Sequence, residues 1–203
     1  MKAGPSSSDK VPSTEVYRIA RQVVGPWLKA NGFRREKAMA SWTKPVAGRH
    51  VTMWFQVSRS GWDPLAPSQF VVEFQRSDRP EVGYGRLRAR IVELLDPAGR
   101  EEVRAIRNAV AARLRKPSLV EVRARFGFEL PADFLERYFA SFAPRSAPYA
   151  PAEDVWLPYA SEVDVRIWCR FVADKLPALT ARFEALPDPP PARARMPRTG
   201  GTR

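Results

Sequence analysis

The stretch RHVTMWFQVSRSGWDPLAPSQFVVEFQR, residues 49–76, decides the fold of this chain. It holds two runs of alternating character, residues 51–58 and 68–75, separated by a loop that carries Gly and Pro. Side chains of a strand point alternately to opposite faces, so a period of two predicts two strands with one face on a core. The other face is expected to be open, and it carries Trp54, Gln56, Glu73 and Gln75.

The loop between the two runs centres on Gly-Trp-Asp-Pro, residues 61–64. Asp63 before a proline is ordinary turn chemistry. Trp62 is expected at the loop tip, and exposed tryptophans are enriched at binding interfaces. Trp62 and Asp63 therefore join the candidate binding residues.

Helical patterns flank this pair of strands. A first helix is expected after Pro12, with a kink at Gly25-Pro26 and an end at Asn31-Gly32. A last helix is expected after Ser161. We predict a disordered leader at residues 1–12, a single α+β domain at 13–186 with a helical insertion and loop at 97–151, and a disordered basic tail at 187–203.

Residues 86–95, RLRARIVELL, fit either a helix or a strand. In a strand, Arg86, Arg88 and Arg90 align on one face, where guanidinium groups can bind carboxylate or phosphate in bidentate fashion. The alternative is a solvated edge, or arginines that pair with Glu73 and Glu93.

Glu73 is the one carboxylate predicted in mid-strand among aromatic residues. In such surroundings its pKa can rise, and the group can then act as a general acid or base. The alternative, which we favour, is an ion pair with Arg76, Arg88 or Arg90 across the sheet.

The chain of 203 residues has a formal net charge of +12, and most of its basic residues are arginine. A positive balance favours contact with nucleic acid, here through the arginine-rich segment 98–116 and the tail. The preference for arginine over lysine also fits the amino-acid usage of a GC-rich genome.

Several chemistries are not supported by the sequence. The single cysteine, Cys169, allows no intrachain disulfide, and with the single histidine, His50, it makes a zinc site improbable. Cys169 is expected to be a buried thiol and His50 a partly exposed residue at a strand end. The sequence has no glycine loop for phosphate, no apolar signal core and no membrane-length apolar run. We therefore expect a cytoplasmic protein with no cofactor, no metal and no membrane partner.

Several short motifs, taken in their order along the chain, carry a family resemblance. Asn31-Gly32-Phe33, the pair Phe55-Gln56 and the run at residues 70–74 resemble the domain-of-unknown-function family numbered 4304. Arg90-Ile91-Val92-Glu93-Leu94-Leu95 resembles a later strand motif of that family. Asp154-Val155-Trp156 and Leu176-Pro177 resemble motifs that follow it. This family of small bacterial proteins has no assigned activity, so the resemblance implies a fold and favours a strand at residues 86–95.

Together these observations predict an α+β fold: an antiparallel sheet of about five strands, flanked by N- and C-terminal helices, with a helical insertion. The leading functional hypothesis is a non-enzymatic binding module that engages an unknown protein or peptide on the open sheet face. Analogy with other small bacterial proteins suggests a role in toxin immunity or phage defence as a hypothesis. The alternatives are nucleic-acid binding through the arginine-rich segment and an enzyme that uses Glu73 with nearby arginines.

Overall fold

The computed structural model describes residues 11–36, 39–58, 68–114, 116–127, 131 and 133–188. Within them the chain has the predicted α+β fold, an antiparallel sheet with helices at both ends of the chain. The sheet has six strands in the described residues, because a two-residue strand precedes those expected. The elements in chain order are α1 (Ser13–Val23), α2 (Gly25–Ala30), β1 (Arg34–Arg35), β2 (Ala40–Val46), β3 (Arg49–Val57), β4 (Ser68–Ser77), β5 (Leu87–Arg90), α3 (Ile91–Leu94), α4 (Pro97–Ala111), α5 (Leu119–Phe126), α6 (Phe134–Ala140), β6 (Leu157–Tyr159) and α7 (Glu162–Ala185).

The sheet is a meander in the order β1-β2-β3-β4-β5, with β6 added to β4. The central strands β3 and β4 pair from His50↔Ser77 to Val57↔Phe70. Both β5 and β6 pair with the other side of β4, β5 along residues 73–76 and β6 along residues 68–70. These two short strands therefore lie end to end along one edge of β4.

The main core lies between one sheet face and the helices α1 and α7. Alternate residues of the central strands form the sheet side of this core: Val51, Met53, Phe55, Phe70, Val72 and Phe74. Each such side chain contributes roughly 1.5–3 kcal/mol when it is fully buried. The prediction that one face of the two central strands lies on the core is thus confirmed.

The N-terminal helical region breaks where the sequence predicted. Pro26 lies in the first turn of α2, and the chain bends between α1 and α2. Gly32 adopts a φ of +82° just after α2, a conformation that favours glycine. Val11, which the sequence analysis placed in the leader, is buried in the core.

Helices α4, α5 and α6 occupy the stretch predicted as a helical insertion. Asp96 caps α4 by accepting a hydrogen bond of 2.7 Å from the Gly99 amide. The helix ends at Ala111. Farther on, the Trp168 indole of α7 donates a 2.8 Å bond to the Pro158 carbonyl, which fixes β6 against the last helix.

Most of the predicted tail lies outside the described residues. Asp188 is described, and its carboxylate pairs with Arg49 at 2.6 Å and with Arg76 at 3.2 Å. These contacts hold the chain after α7 against the strands β3 and β4.

Candidate binding surface

Two members of the predicted arginine row lie on β5, and the third directly precedes it. We call Arg86, Arg88 and Arg90 the β5 arginine row. Arg88 lies opposite Gln75 and Arg90 opposite Glu73 in the register with β4. Arg86 precedes the strand, and its amide donates a 3.1 Å bond to the Arg76 carbonyl. The strand interpretation therefore holds up to Arg90, and the helical one begins at Ile91 with the single turn α3.

Arg88 is held between a carboxylate and an aromatic ring. Its Nε and Nη2 lie 2.9 Å and 2.7 Å from Oε1 of Glu73, and its guanidinium carbon lies 5.3 Å from the centroid of the Trp54 ring. The ion pair with an arginine that we favoured for Glu73 is thus confirmed. The second carboxylate oxygen, Oε2, is buried and has no hydrogen-bond partner.

Arg90 is held in the same manner at the junction of β5 and β6. It forms an ion pair with Asp154, and its guanidinium carbon lies 5.3 Å from the centroid of the Trp156 ring. The sequence alone gives no sign of this contact between Trp156 and Arg90. The link depends on the end-to-end placement of the two strands, which no local pattern reveals.

Exposure differs along the β5 arginine row. The side chains of Arg86, Arg88 and Arg90 are 67%, 46% and 25% exposed, respectively. Arg86 also lies 3.6 Å from a carboxylate oxygen of Asp78. The row thus offers two accessible guanidinium groups and a third that is mostly covered.

The expectation of an open sheet face is wrong for three of its four residues. Trp54, Glu73 and Gln75 are buried, and Gln56 alone is exposed. Arg88 lies over Trp54 and pairs with Glu73, whereas Gln75 is covered by residues 78–86, which connect β4 to β5. Trp54 and Glu73 therefore support Arg88 of the β5 arginine row, and Gln75 holds the connection at residues 78–86.

The connection at residues 78–86 is bonded directly to the sheet. The side-chain amide of Gln75 makes two of these bonds. Its Nε2 donates a 2.5 Å bond to the Glu81 carbonyl, and its Oε1 accepts a 2.9 Å bond from the backbone amide of Gly83. The Thr52 hydroxyl donates a 3.1 Å bond to the Pro80 carbonyl. A strand pattern cannot predict this cover, because it depends on how a loop of irregular conformation folds back.

Trp62 and Asp63 lie outside the described residues, so their predicted role stays a prediction. The nine candidate residues thus divide into the β5 arginine row, its supports Trp54 and Glu73, the loop-bonded Gln75, the exposed Gln56, and this undescribed pair.

The single thiol and the single imidazole lie on different elements. Cys169 is fully buried in α7, and burial raises the pKa of its thiol to about 12. His50 is half-buried in β3. Among the described residues, no group of three or more His, Cys, Asp or Glu side chains is arranged to hold a metal ion.

The arginines of α4 that the structure describes all contact other protein groups. Arg100 donates to the Leu95 carbonyl, and Arg104 to Glu101 and to the Arg145 carbonyl. Arg107 donates to Tyr149 and Ser141. Arg113, just past the helix, pairs with Asp164. Nucleic-acid binding through this segment stays a prediction.

Comparison with known proteins found no matching family model, no matching curated protein and no matching solved structure. The resemblance to family 4304 therefore stays a prediction. In the described part of the chain, no helix combines the length and apolar character needed to cross a membrane.

Proposed function

We propose that this protein is a non-enzymatic binding module that binds an extended acidic segment of a protein partner along the edge of β5. The observation that carries this proposal is the β5 arginine row, in which Arg88 of the edge strand and Arg86 just before it present accessible guanidinium groups. Guanidinium groups bind carboxylates in bidentate geometry.

The position of β5 favours an extended peptide. It is the last strand in the sheet order, so its outer edge has no neighbour among the described strands. An extended segment can add to such an edge through main-chain hydrogen bonds, while its alternate side chains supply specificity. Acidic residues at every second position would face Arg86 and Arg88.

The supports of the row strengthen this interpretation. Glu73 and Trp54 hold Arg88, and Asp154 and Trp156 hold Arg90. A guanidinium group that is already fixed loses less side-chain entropy when it binds, which favours affinity. Charged residues on an edge strand also discourage unspecific strand pairing. The row therefore favours acidic partners over other extended segments.

We also propose a cytoplasmic setting for this interaction. It is supported by the use of cysteine, since the one thiol of the chain is buried in α7 and no disulfide contributes to the fold.

The test uses a labelled ten-residue peptide of alternating Thr and Glu, a matched Thr–Lys peptide and a single-stranded DNA oligonucleotide. Fluorescence anisotropy should detect binding of the glutamate peptide and no binding of the lysine peptide. Arg86→Glu should weaken glutamate-peptide binding about tenfold or more, because it replaces attraction by repulsion.

The matched control is Arg137→Glu on α6. Arg137 is 70% exposed and pairs with Asp133, much as Arg86 pairs with Asp78, so both variants change the charge equally. Equal losses in the two variants would show a response to net charge alone and would refute the proposal. So would tighter binding of the DNA than of the glutamate peptide.

A further inference from the structure

A pocket of about 420 Å³ lies beside α4, between that helix and the chain that leads to β6. Aromatic and charged side chains share its wall with smaller residues. The lining residues that matter for its chemistry are Arg107, Arg145, Tyr149, Glu153, Asp154 and Trp156. A volume of this size falls within the range of small-molecule sites, about 300–1,000 Å³.

Two arginines of the pocket region are neutralised by carboxylates of its wall. Arg145 pairs with Glu153 at 2.5 Å, and its hydrogen bond lowers the pKa of the Glu153 carboxyl. Arg90 pairs with Asp154. Both lining carboxylates therefore already have a guanidinium partner.

Arg107 differs from these two arginines. Its Nη1 donates a 2.7 Å bond to the Tyr149 hydroxyl and its Nη2 a 2.6 Å bond to the Ser141 carbonyl, and both acceptors are neutral. Its Nε is buried and has no hydrogen-bond partner. No carboxylate pairs with Arg107 in the part of the chain that the structure describes. The lining carries two arginines and two carboxylates, and Arg107 is the one of these four described residues that has no ion-pair partner.

Tyr149 lies between two cationic groups. The guanidinium carbons of Arg145 and Arg107 lie 4.4 Å and 5.7 Å from its ring centroid. Its hydroxyl accepts from Arg107. A phenol hydroxyl that accepts one hydrogen bond can still donate its O–H to another acceptor. The arrangement places a fixed cation and a hydroxyl donor side by side.

We propose that this pocket binds a small molecule through a carboxylate or phosphate group, with Arg107 as the counter-charge and Tyr149 as a second donor. The rings of Tyr149 and Trp156 would contact the less polar part of the ligand. This site goes beyond the proposed peptide surface: it shares Asp154 and Trp156 with the supports of Arg90, but it depends on Arg107, which has no role in the β5 arginine row.

The test measures binding of benzoate, phenyl phosphate and benzamide to the full chain by titration calorimetry. Benzamide is the neutral match of benzoate, with the same ring and nearly the same size. Benzoate or phenyl phosphate should bind at least tenfold more tightly than benzamide. Whichever of the two binds more tightly identifies the preferred oxyanion. Equal affinity for all three compounds, or no binding of either anion, would overturn the proposal.

Arg107→Gln should weaken binding of the preferred anion about ten- to a hundredfold, the range for a lost hydrogen bond to a charged group. Arg100→Gln is the matched control, because Arg100 lies on the same helix, donates to a carbonyl and does not line the pocket. Equal loss in both variants would overturn the proposal.

If Arg107→Gln does not fold, the role of Arg107 in anion binding can still be tested in the native protein. The Nε–H signal of Arg107 in nitrogen-15 spectra, assigned with Arg107→Lys or by backbone connectivity, should shift with benzoate and not with benzamide. An unshifted signal at saturating benzoate would refute a role for Arg107. Arg86→Glu should leave anion binding unchanged, so failure here and failure of the peptide proposal are distinguishable.

Discussion

Arg76 of β4 lies over the ring of Phe183 in α7, with its guanidinium carbon 5.7 Å from the ring centroid, and its Nη2 donates a 3.0 Å bond to the Phe183 carbonyl. It also donates to the carbonyls of Glu184 at 2.7 Å and Leu186 at 3.0 Å. Carbonyls in the last turn of a helix have no intrahelical partner. A side chain of the central strand therefore caps the C-terminal helix and fixes it to the sheet.

Replacing Arg76 should test this cap. Arg76→Ala should lower the free energy of unfolding by about 3 kcal/mol, because several hydrogen bonds from a charged, mostly buried group are lost together. Urea unfolding gives the value. Arg49→Ala is the control: its half-exposed ion pair with Asp188 should cost below about 1 kcal/mol. Similar losses in both variants would contradict a special role for Arg76.

Other arginines use the same chemistry. Arg182 donates to the Leu94 carbonyl, Arg104 to that of Arg145, and Arg107 to that of Ser141. Arg182 and Arg104 also pair with carboxylates, those of Asp96 and Glu101. Arg107 has neutral acceptors alone among the described residues. Its positive charge thus serves a contact within the fold, and composition alone could not separate such a charge from one that binds nucleic acid.

The cover over Gln75 depends on a glycine. A Cβ added at Gly85 would lie 2.6 Å from the Gln75 Cβ and 3.1 Å from the Leu87 carbonyl oxygen. Gly85→Ala should therefore destabilise the protein by about 1–3 kcal/mol and loosen residues 78–86. Amide hydrogen exchange at Gly83, which donates to Gln75, should become faster.

Gly25→Ala is the matched control for this substitution. A Cβ at Gly25 would meet only the Trp42 ring, at ordinary contact distances of 3.8–3.9 Å. Alanine is also the better helix former at the start of α2. We expect no loss of stability in this variant. Unchanged exchange at Gly83 in Gly85→Ala would show that the connection is not held by close contact with Gln75.

Much of the fold was predictable because its signals are local. Alternation located β3 and β4, Gly25-Pro26 located the break after α1, and Ser161 located the start of α7. Each of these depends on residues that are neighbours in sequence.

The site was only partly predictable, because its contacts join distant segments. Alternation correctly aligned Arg88 and Arg90, and it correctly suggested a partner for Glu73. It could not show that residues 78–86 fold over Gln75 or that Trp156 meets Arg90. A period of two separates the faces of a strand, but it does not say whether the second face is open or covered by irregular chain.

Asp164 should make stability depend on acid pH. Burial raises the pKa of this carboxyl, but hydrogen bonds from the Ala160 amide, Arg113 and Ser161 outweigh burial and hold it below the usual 3.8. Because the folded pKa is lowered, the stabilisation is present above the unfolded value and is lost as pH falls through the folded one. Stability should therefore decline below about pH 4.

The variant Asp164→Asn isolates this contribution. It should lower the free energy of unfolding by about 2 kcal/mol at pH 7, and its difference from the native protein should shrink between pH 4 and pH 3. Urea unfolding at pH 7, 5, 4 and 3 measures both. Asp133→Asn, which affects an exposed pair with Arg137, should give a small difference at every pH. A constant difference for Asp164→Asn would contradict the assigned pKa shift.

Cys169 should report unfolding of the core. It is fully buried in α7, and burial raises the pKa of its thiol to about 12, so at pH 8 the group is protonated and inaccessible. A thiol reagent should leave the native protein unlabelled and react at once with the chain in strong denaturant. Since the sequence has one cysteine, the labelling rate in intermediate urea should follow the opening of α7 from the sheet. Rapid labelling without denaturant would show that this helix opens readily and would contradict its role as the main cover of the sheet.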